Sequence, residues 1–502
     1  MKIVIKFLLI LLIYNIEFNS LFSQINKGGT PKSFTLKIKS NNSIKIIEMP
    51  CVDNKKLLDL EKNENREGKP YKFAYVFEVN INIKTEGSMD SVGEVGKIWR
   101  LRLKSSSAYS LNFTLTNFNL PIGAELFLYN KDTSTILGAF TSNNNTQSRM
   151  FPIMPIVGDE VIFEYFEPNN ANFKGNIVIS RVGHDYKGFF KRNKSEDGRF
   201  GNSGNCNVDI NCPEGNNWQN EKRSVCRLLI NNSGYCSGAL VNNVNNDGIP
   251  YILTAHHCVS TNSDANNTVF VFNYESPTCN GSDGSIAQSI SGSTLRATWS
   301  TSDFTLLELS SSIPENYNPY FSGWFNINTI PTTPVVGIHH PAGDVKKISR
   351  DNDPPTNSYG NTHWFVDNWD VGTTEGGSSG SPLYNSNHRI VGQVHAGDGY
   401  EPCDVEKGTH YGKLSTSWTG GGTDATRLQN WLDPSNTVTE LPGLRLIRNI
   451  TITSNTPASG DIVRLINVSI QNGSNITIDI NELFEATGTF DAPLGITLNI
   501  QP

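Results

Sequence analysis

The chain has 502 residues, 18% charged and 37% hydrophobic, with 43 glycines, 24 prolines and a formal net charge of −7. That length holds two or three domains with a sizeable core, and the glycine and proline content points to a loop-rich, mostly β chain. The acidic balance argues against a surface built for nucleic acid, which is not an expected partner.

In chain order, residues 1–23 read as an export signal. Lys2 and Lys6 flank the start of the apolar run "FLLILLIY", a more polar stretch ends in "SLFSQ", and cleavage is expected near Ser23. The run is too short to span a membrane, and no later segment is long and apolar enough to do so. The mature protein is therefore expected outside the cell, free or held at the cell surface. Residues 24–200 alternate polar and apolar positions in "FAYVFEVNINI", "KIWRLRLKS", "SLNFTLTNF", "AELFLYN" and "DEVIFEYF", with turns such as "LPIGA" between them. Period-2 patterning of this kind predicts a β-sandwich. The polar stretch "KRNKSEDGRFGNSGN" then reads as a linker open to proteolysis.

Residues 201–446 hold most of the cysteines and histidines among many short strands. The helix signal there is "TDATRLQNWLDPS", with Thr423 or Asp424 as the cap and Pro434 as the stop. Residues 447–502 change character again. "RNITITS" and "IVRLINVSIQNGSNITIDI" are strands broken by Asn/Gly turns, read as a small β module of stacked repeats. The asparagine runs "NNNTQ" and "NNVNNDG" are read as solvated turns.

The eight cysteines are Cys51, Cys206, Cys212, Cys226, Cys236, Cys258, Cys279 and Cys403. In an exported chain they point to disulfides, and the sequence leaves the pairing open. No CxxC pair or His-rich tract has zinc spacing, so no structural metal is expected.

Three stretches carry the chemistry. "YILTAHHCVS" (251–260) ends an apolar strand in His256, His257 and Cys258. "TSDFTLLELS" (301–310) places Asp303 at the start of a strand, where a buried carboxylate can orient an imidazole. "TTEGGSSGSPLYN" (373–385) sets Ser379 in a glycine-flanked turn. A serine hydroxyl needs a base to take its proton and donors aimed at the developing oxyanion. Glycines allow the dihedrals that turn the N–H groups of Gly377 and Ser379 toward one point. Each stretch alone reads more readily as a turn, a strand cap or a structural histidine. Together they give the order His, Asp, Ser of one known triad arrangement.

With these stretches in hand, the chain resembles the trypsin-like serine endopeptidases, and among them the bacterial lysyl endopeptidase group. "LTAHHC", "SDFTLLEL", "GGSSGSP", "GNSGNCNVDINCPEG", "CSGALVNN", "GIHHP", "VGQVHAG", "YGKLSTSWTGGG" and "RLQNWLDPS" carry the likeness, over roughly 201–446. It implies a chymotrypsin-like double antiparallel β-barrel with a short C-terminal helix, after a β-rich propeptide. It implies His257 as base, Asp303 as its orienting acid and Ser379 as nucleophile, with His256 a structural neighbour. It also implies the pairs Cys236–Cys258, Cys206–Cys403 and Cys212–Cys279. Cys226 is then a buried, inert thiol, and Cys51 stands unpaired in the front part. Peptide or protein substrates follow, with no cofactor, and the chain's own propeptide acts as folding chaperone or inhibitor.

The resemblance departs at two positions. Ser378 stands where many trypsin-like zymogens have the Asp that receives a freed N-terminus, so activation is expected by loss of the front domain. Thr409 stands where the lysyl group has the carboxylate that pairs with a lysine ammonium. His395 matches that group's pocket-wall histidine, with Tyr359 as its aromatic partner and Thr374 nearby. Lysine preference is therefore not expected unless Asp398, Glu401, Asp404 or Glu406 swings into the pocket. The rival reading is an inactive surface-binding or adhesin protein on a protease fold.

Overall fold

The computed structural model describes residues 25–36, 38, 44–61, 69–188, 203–398, 403, 408–471, 474–491 and 498–501. The export signal, the linker around Gly201, and Glu401, Asp404 and Glu406 lie outside the described residues.

The front part is a sandwich. A six-stranded sheet includes Gly96–Lys104, Glu160–Pro168 and Glu125–Asn130, and a four-stranded sheet holds Ala74–Asn82, Asn176–Asp185, Ser110–Asn119 and Phe151–Val157. The alternation in the sequence is realised in the core between the sheets, where Leu101, Leu103, Phe113, Leu115, Phe163 and Ile179 are fully buried. The same core takes in Leu229, Tyr235, Val269 and Val271 from the next domain, so the sandwich is packed onto it.

That next domain consists of two sheets. The first runs in the order Ser289–Ser291, Thr268–Phe272, Val225–Ile230, Gly234–Leu240, Tyr251–Ala255, Phe304–Leu309, Ser293–Trp299, and every pairing is antiparallel. The second includes Lys347–Asp351, Val335–His339, Pro382–Tyr384, Arg389–Gly397, Thr409–Lys413 and His363–Val366, again antiparallel neighbours. Ile338, Ile348, Tyr384 and Ile390 of the second sheet share a core with Leu253 and Phe304 of the first. Two curled antiparallel sheets joined face to face make the expected double barrel.

Two details differ from the sequence reading. The predicted helix over 423–435 is a single turn, Gln429–Leu432, preceded by Leu428 with no side-chain cap. Asp424 instead accepts hydrogen bonds from the Asn430 amide and, through its carbonyl, from Trp431 Nε1. A second short helix, Leu414–Thr419, follows the strand bearing Thr409. Strand Leu444–Ile452 runs through position 447. Leu444–Ile452, Thr456–Ile470, Ile476–Asp491 and Leu498–Gln501 pair in parallel, each with the next in sequence, which is the expected stack of repeats. Arg389 ties the stack to the second barrel through Asp461 and Glu482.

Candidate active site

The strand Tyr251–Ala255 delivers His256 and His257 to the seam between the barrels, and the paired strand Phe304–Leu309 brings Asp303 beside them. Asp303 has φ +52°, a left-handed conformation that turns its carboxylate back toward the histidine loop. One carboxylate oxygen accepts from the His257 backbone N–H at 3.0 Å, and the other lies 2.8 Å from His257 Nδ1. With a carboxylate oxygen as partner, Nδ1 is the donor and Nε2 is left with its lone pair. The two side chains are only 7% and 4% exposed, so the pair is held in place. The His256 ring is engaged elsewhere, its Nδ1 2.8 Å from Thr298 Oγ1, while its backbone N–H donates to the Asp303 carbonyl.

Ser379 opens the second barrel's contribution, in the turn before Pro382–Tyr384. The turn is fixed to the first barrel: Ser237 N donates to the Ser379 carbonyl at 2.8 Å, and Ser237 Oγ donates to the Gly377 carbonyl at 2.9 Å. Gly380 explains one conspicuous glycine. Its φ is +81°, and a Cβ there would sit 2.2 Å from Thr254 Oγ1 and 2.5 Å from the Ser237 carbonyl. The Cys236–Cys258 disulfide closes the constellation. The Cys258 sulfur is 3.7 Å from His257 Nε2 and 3.8 Å from the Ser379 carbonyl oxygen, so base and serine flank one sulfur.

Of the two adjacent serines only one is available. Ser378 is buried, donates to His339 Nδ1 (2.8 Å) and accepts from the Glu375 N–H (3.1 Å). Ser349 Oγ donates to the Thr373 carbonyl and so accepts from His339 Nε2, at 2.9 Å. Burial, then the nearby Lys347 charge, pulls His339 down to about 3, so its ring stays neutral. Ser379 is half-buried and its hydroxyl makes no hydrogen bond among the described residues, to His257 included. Such bonds are often long until substrate arrives. Gly377 has φ +99°, and neither its N–H nor that of Ser379 donates to a protein acceptor among the described residues.

The second barrel also carries the residues expected at the pocket. Thr409, buried, receives Trp369 Nε1 at 3.1 Å and shares a 2.7 Å hydroxyl–hydroxyl bond with Thr374. His395 lies beside His257, ring centroids 6.0 Å apart, and its ring centroid is 5.4 Å from that of Tyr359. Tyr359 also touches His363 and His410. Sequence reasoning missed His363. Thr362 Oγ1 donates to the Tyr359 carbonyl, so it accepts from His363 Nδ1 (2.8 Å), and His363 Nε2 is left to accept from His395 Nδ1 (3.0 Å). Burial, reinforced by His395, holds His363 near 3 and therefore neutral. Asp398 pairs with His410 Nε2 at 2.9 Å instead of approaching Thr409. Glu375 also faces elsewhere, accepting from Gly204 N and Asn207 Nδ2.

The disulfides join Cys206 to Cys403, Cys212 to Cys279 and Cys236 to Cys258. Cys226 is buried on strand Val225–Ile230, and burial pushes its thiol far up, where it is unreactive. Cys51 is exposed. Non-reducing peptide mapping should recover the three pairs and a thiol at Cys226. A peptide joining Cys226 to any of the six would overturn the scheme. Replacing Cys236 and Cys258 together should cost roughly 2–4 kcal/mol in urea unfolding, by releasing the unfolded loop.

Residues 200–412, less than half of the chain, match the family described as lysyl endopeptidase, C-terminal domain. The chain is 28% identical over 271 residues to the lysyl endopeptidase of Pseudomonas aeruginosa, across 49% of this chain and 56% of that protein. It is 29% identical over 198 residues to the secreted RxLR effector protein 73 of Plasmopara viticola, across 35% of this chain and 45% of that one. It thus spans about half the length of these curated relatives. Among solved structures, the protease Anisep of Arthrobacter nicotinovorans is similar at 16% identity and a TM-score of 0.31, covering 41% of this chain and 93% of that chain.

Proposed function

We propose that the chain is a secreted serine endopeptidase, made as a proenzyme, that hydrolyses peptide bonds through an acyl-enzyme on Ser379. The observation that carries this reading is the clasp of Asp303 on both the N–H and Nδ1 of His257, beside the one serine of the pair with an unengaged hydroxyl. His257 Nε2 takes the Ser379 proton as Oγ adds to the substrate carbonyl, and the oxyanion is met by the N–H groups of Gly377 and Ser379. The protonated imidazole, steadied by Asp303, then gives that proton to the leaving amine. Water, deprotonated by the same nitrogen, releases the acid and restores Ser379. This chain's residues supply every step, so the reading includes no metal and no cofactor.

In the same reading residues 1–23 direct export, and no helix among the described residues is long and apolar enough to cross a membrane. Whether the product is free or bound to the cell surface, its partners are peptide and protein substrates and its own front domain, as chaperone or inhibitor. The domain from 201 to 446 is the protease, with 24–200 as propeptide and 447–502 as an added β module. N-terminal sequencing of the active secreted form should read from near Gly201. A species that still carries the front sandwich covalently and cleaves protein substrates at the full rate would contradict this maturation. Hydrolysis of a casein substrate by the matured protein, abolished by a serine-directed fluorophosphonate, tests the activity itself. Full binding to cells or surfaces with no hydrolysis would favour the inactive adhesin instead.

A further inference from the structure

The front sandwich does not cover the first barrel at an arbitrary place. Its short strand Tyr71–Lys72 pairs antiparallel with the edge of Gly234–Leu240, Lys72 opposite Gly234 and Tyr71 opposite Tyr235. Phe73 N extends the ladder by donating to the Ser233 carbonyl at 2.8 Å. The Phe73 ring stacks on Tyr235 with centroids 4.4 Å apart, and Tyr71 stacks on it at 6.4 Å. Pro70 lies on Gly234, where a Cβ would come within 2.8 Å of the proline ring. Tyr71 also lies on Gly376, where a Cβ would come within 2.8 Å of its ring. Lys187, paired with the buried Glu61, sits over the Tyr71 ring at 3.9 Å.

This edge leads straight to the reacting centre. Tyr235 is followed by Cys236 of the active-site disulfide and by Ser237, which holds the Ser379 carbonyl. Gly376 directly precedes the oxyanion turn. On the protease reading, the side chain before the cut goes to Thr374, Thr409 and His395 of the second barrel. An extended substrate that crosses Ser379 from there meets the first barrel at Gly234–Tyr235. A free sheet edge of this kind takes an extended chain as an added strand.

We propose that residues 70–73 are a built-in occupant of this edge, holding the place of the substrate residues that follow the cut. The proposal rests on the protease reading above. It makes the front domain a block on the leaving-group side of the cleft while leaving Ser379 reachable by small acyl donors. Once the domain departs, Gly234–Tyr235 becomes the docking strand for those substrate residues.

The test uses the full chain, kept uncut and checked by mass, on two substrates with the same acyl part. One is an anilide with nothing peptidic after the cut, and the other is a peptide with three residues after it. The uncut chain should turn over the anilide and cleave the peptide poorly. Tyr71→Ala should raise peptide cleavage about tenfold or more, the loss expected for an aromatic anchor at an interface, without changing the anilide rate. Tyr71→Pro, at a half-buried position, removes the N–H that faces Tyr235 in the ladder and should act in the same direction. Equal peptide cleavage by the uncut chain and both variants would overturn the proposal. No anilide turnover and no fluorophosphonate labelling in any form, the cut chain included, would overturn the protease reading beneath it.

Discussion

Ser379→Ala and His257→Ala are each expected to lower kcat/KM by roughly four to six orders of magnitude, as removal of a member of such a unit does. Folding should survive. The Ser379 hydroxyl makes no hydrogen bond among the described residues, and the turn is held by main-chain bonds from Ser237 and by the close fit of Gly380. Thermal melting of Ser379→Ala should therefore match the parent within a few degrees. Asp303→Asn is the more discriminating variant. Its remaining oxygen can still take the His257 N–H, but its amide faces Nδ1 with a donor. The ring must then carry its proton on Nε2, and the base is lost at nearly unchanged geometry, for a fall of about four orders of magnitude in kcat. Substitutions at Ser378 should behave differently. They break the buried Ser378–His339–Ser349 network and should appear as lost stability.

The second large effect concerns the residue before the cut. A buried ammonium without a counter-charge costs several kcal/mol or loses its proton. At Thr409 and Thr374 the chain offers two hydroxyls bonded to each other, with Trp369 donating to one of them. Asp398, one of the loop acids near the pocket in sequence, is engaged by His410. Hydroxyls and the imidazole of His395 suit an acidic or neutral side chain better than a cation. Matched peptides differing only at that residue should show Glu and neutral residues cleaved at least as well as Lys. A preference for Lys over both by more than about a hundredfold, or roughly 2.7 kcal/mol, would show that this account of the pocket is wrong.

Much of this was legible in the sequence because the signals are local. The strands of the sandwich follow the period-2 pattern, and Tyr251–Ala255 and Phe304–Leu309 end or begin at the histidine and aspartate expected of them. The disulfide partners follow from likeness to a family and are those the structure pairs. What was not legible depends on residues far apart in sequence. His339 was visible only as one of two histidines in "GIHHP", and its role needs Ser378 and Ser349 around it. His363 gave no motif at all, since its bond to His395 comes from a strand far away in sequence. Tyr71–Lys72 is too short for any periodic signal and becomes a strand only because the Gly234–Leu240 edge is there to receive it. The helix expected at 423–435 shrank to one turn because Asp424 bonds sideways to Asn430 and Trp431 instead of capping.

The most direct measurement is the site of covalent labelling by a fluorophosphonate, read by peptide mapping of the matured protein. The account predicts stoichiometric modification of Ser379, absent in Ser379→Ala and strongly slowed in His257→Ala, with Ser378 unmodified. Labelling at Ser378, or none at any serine in a correctly folded protein, would contradict it.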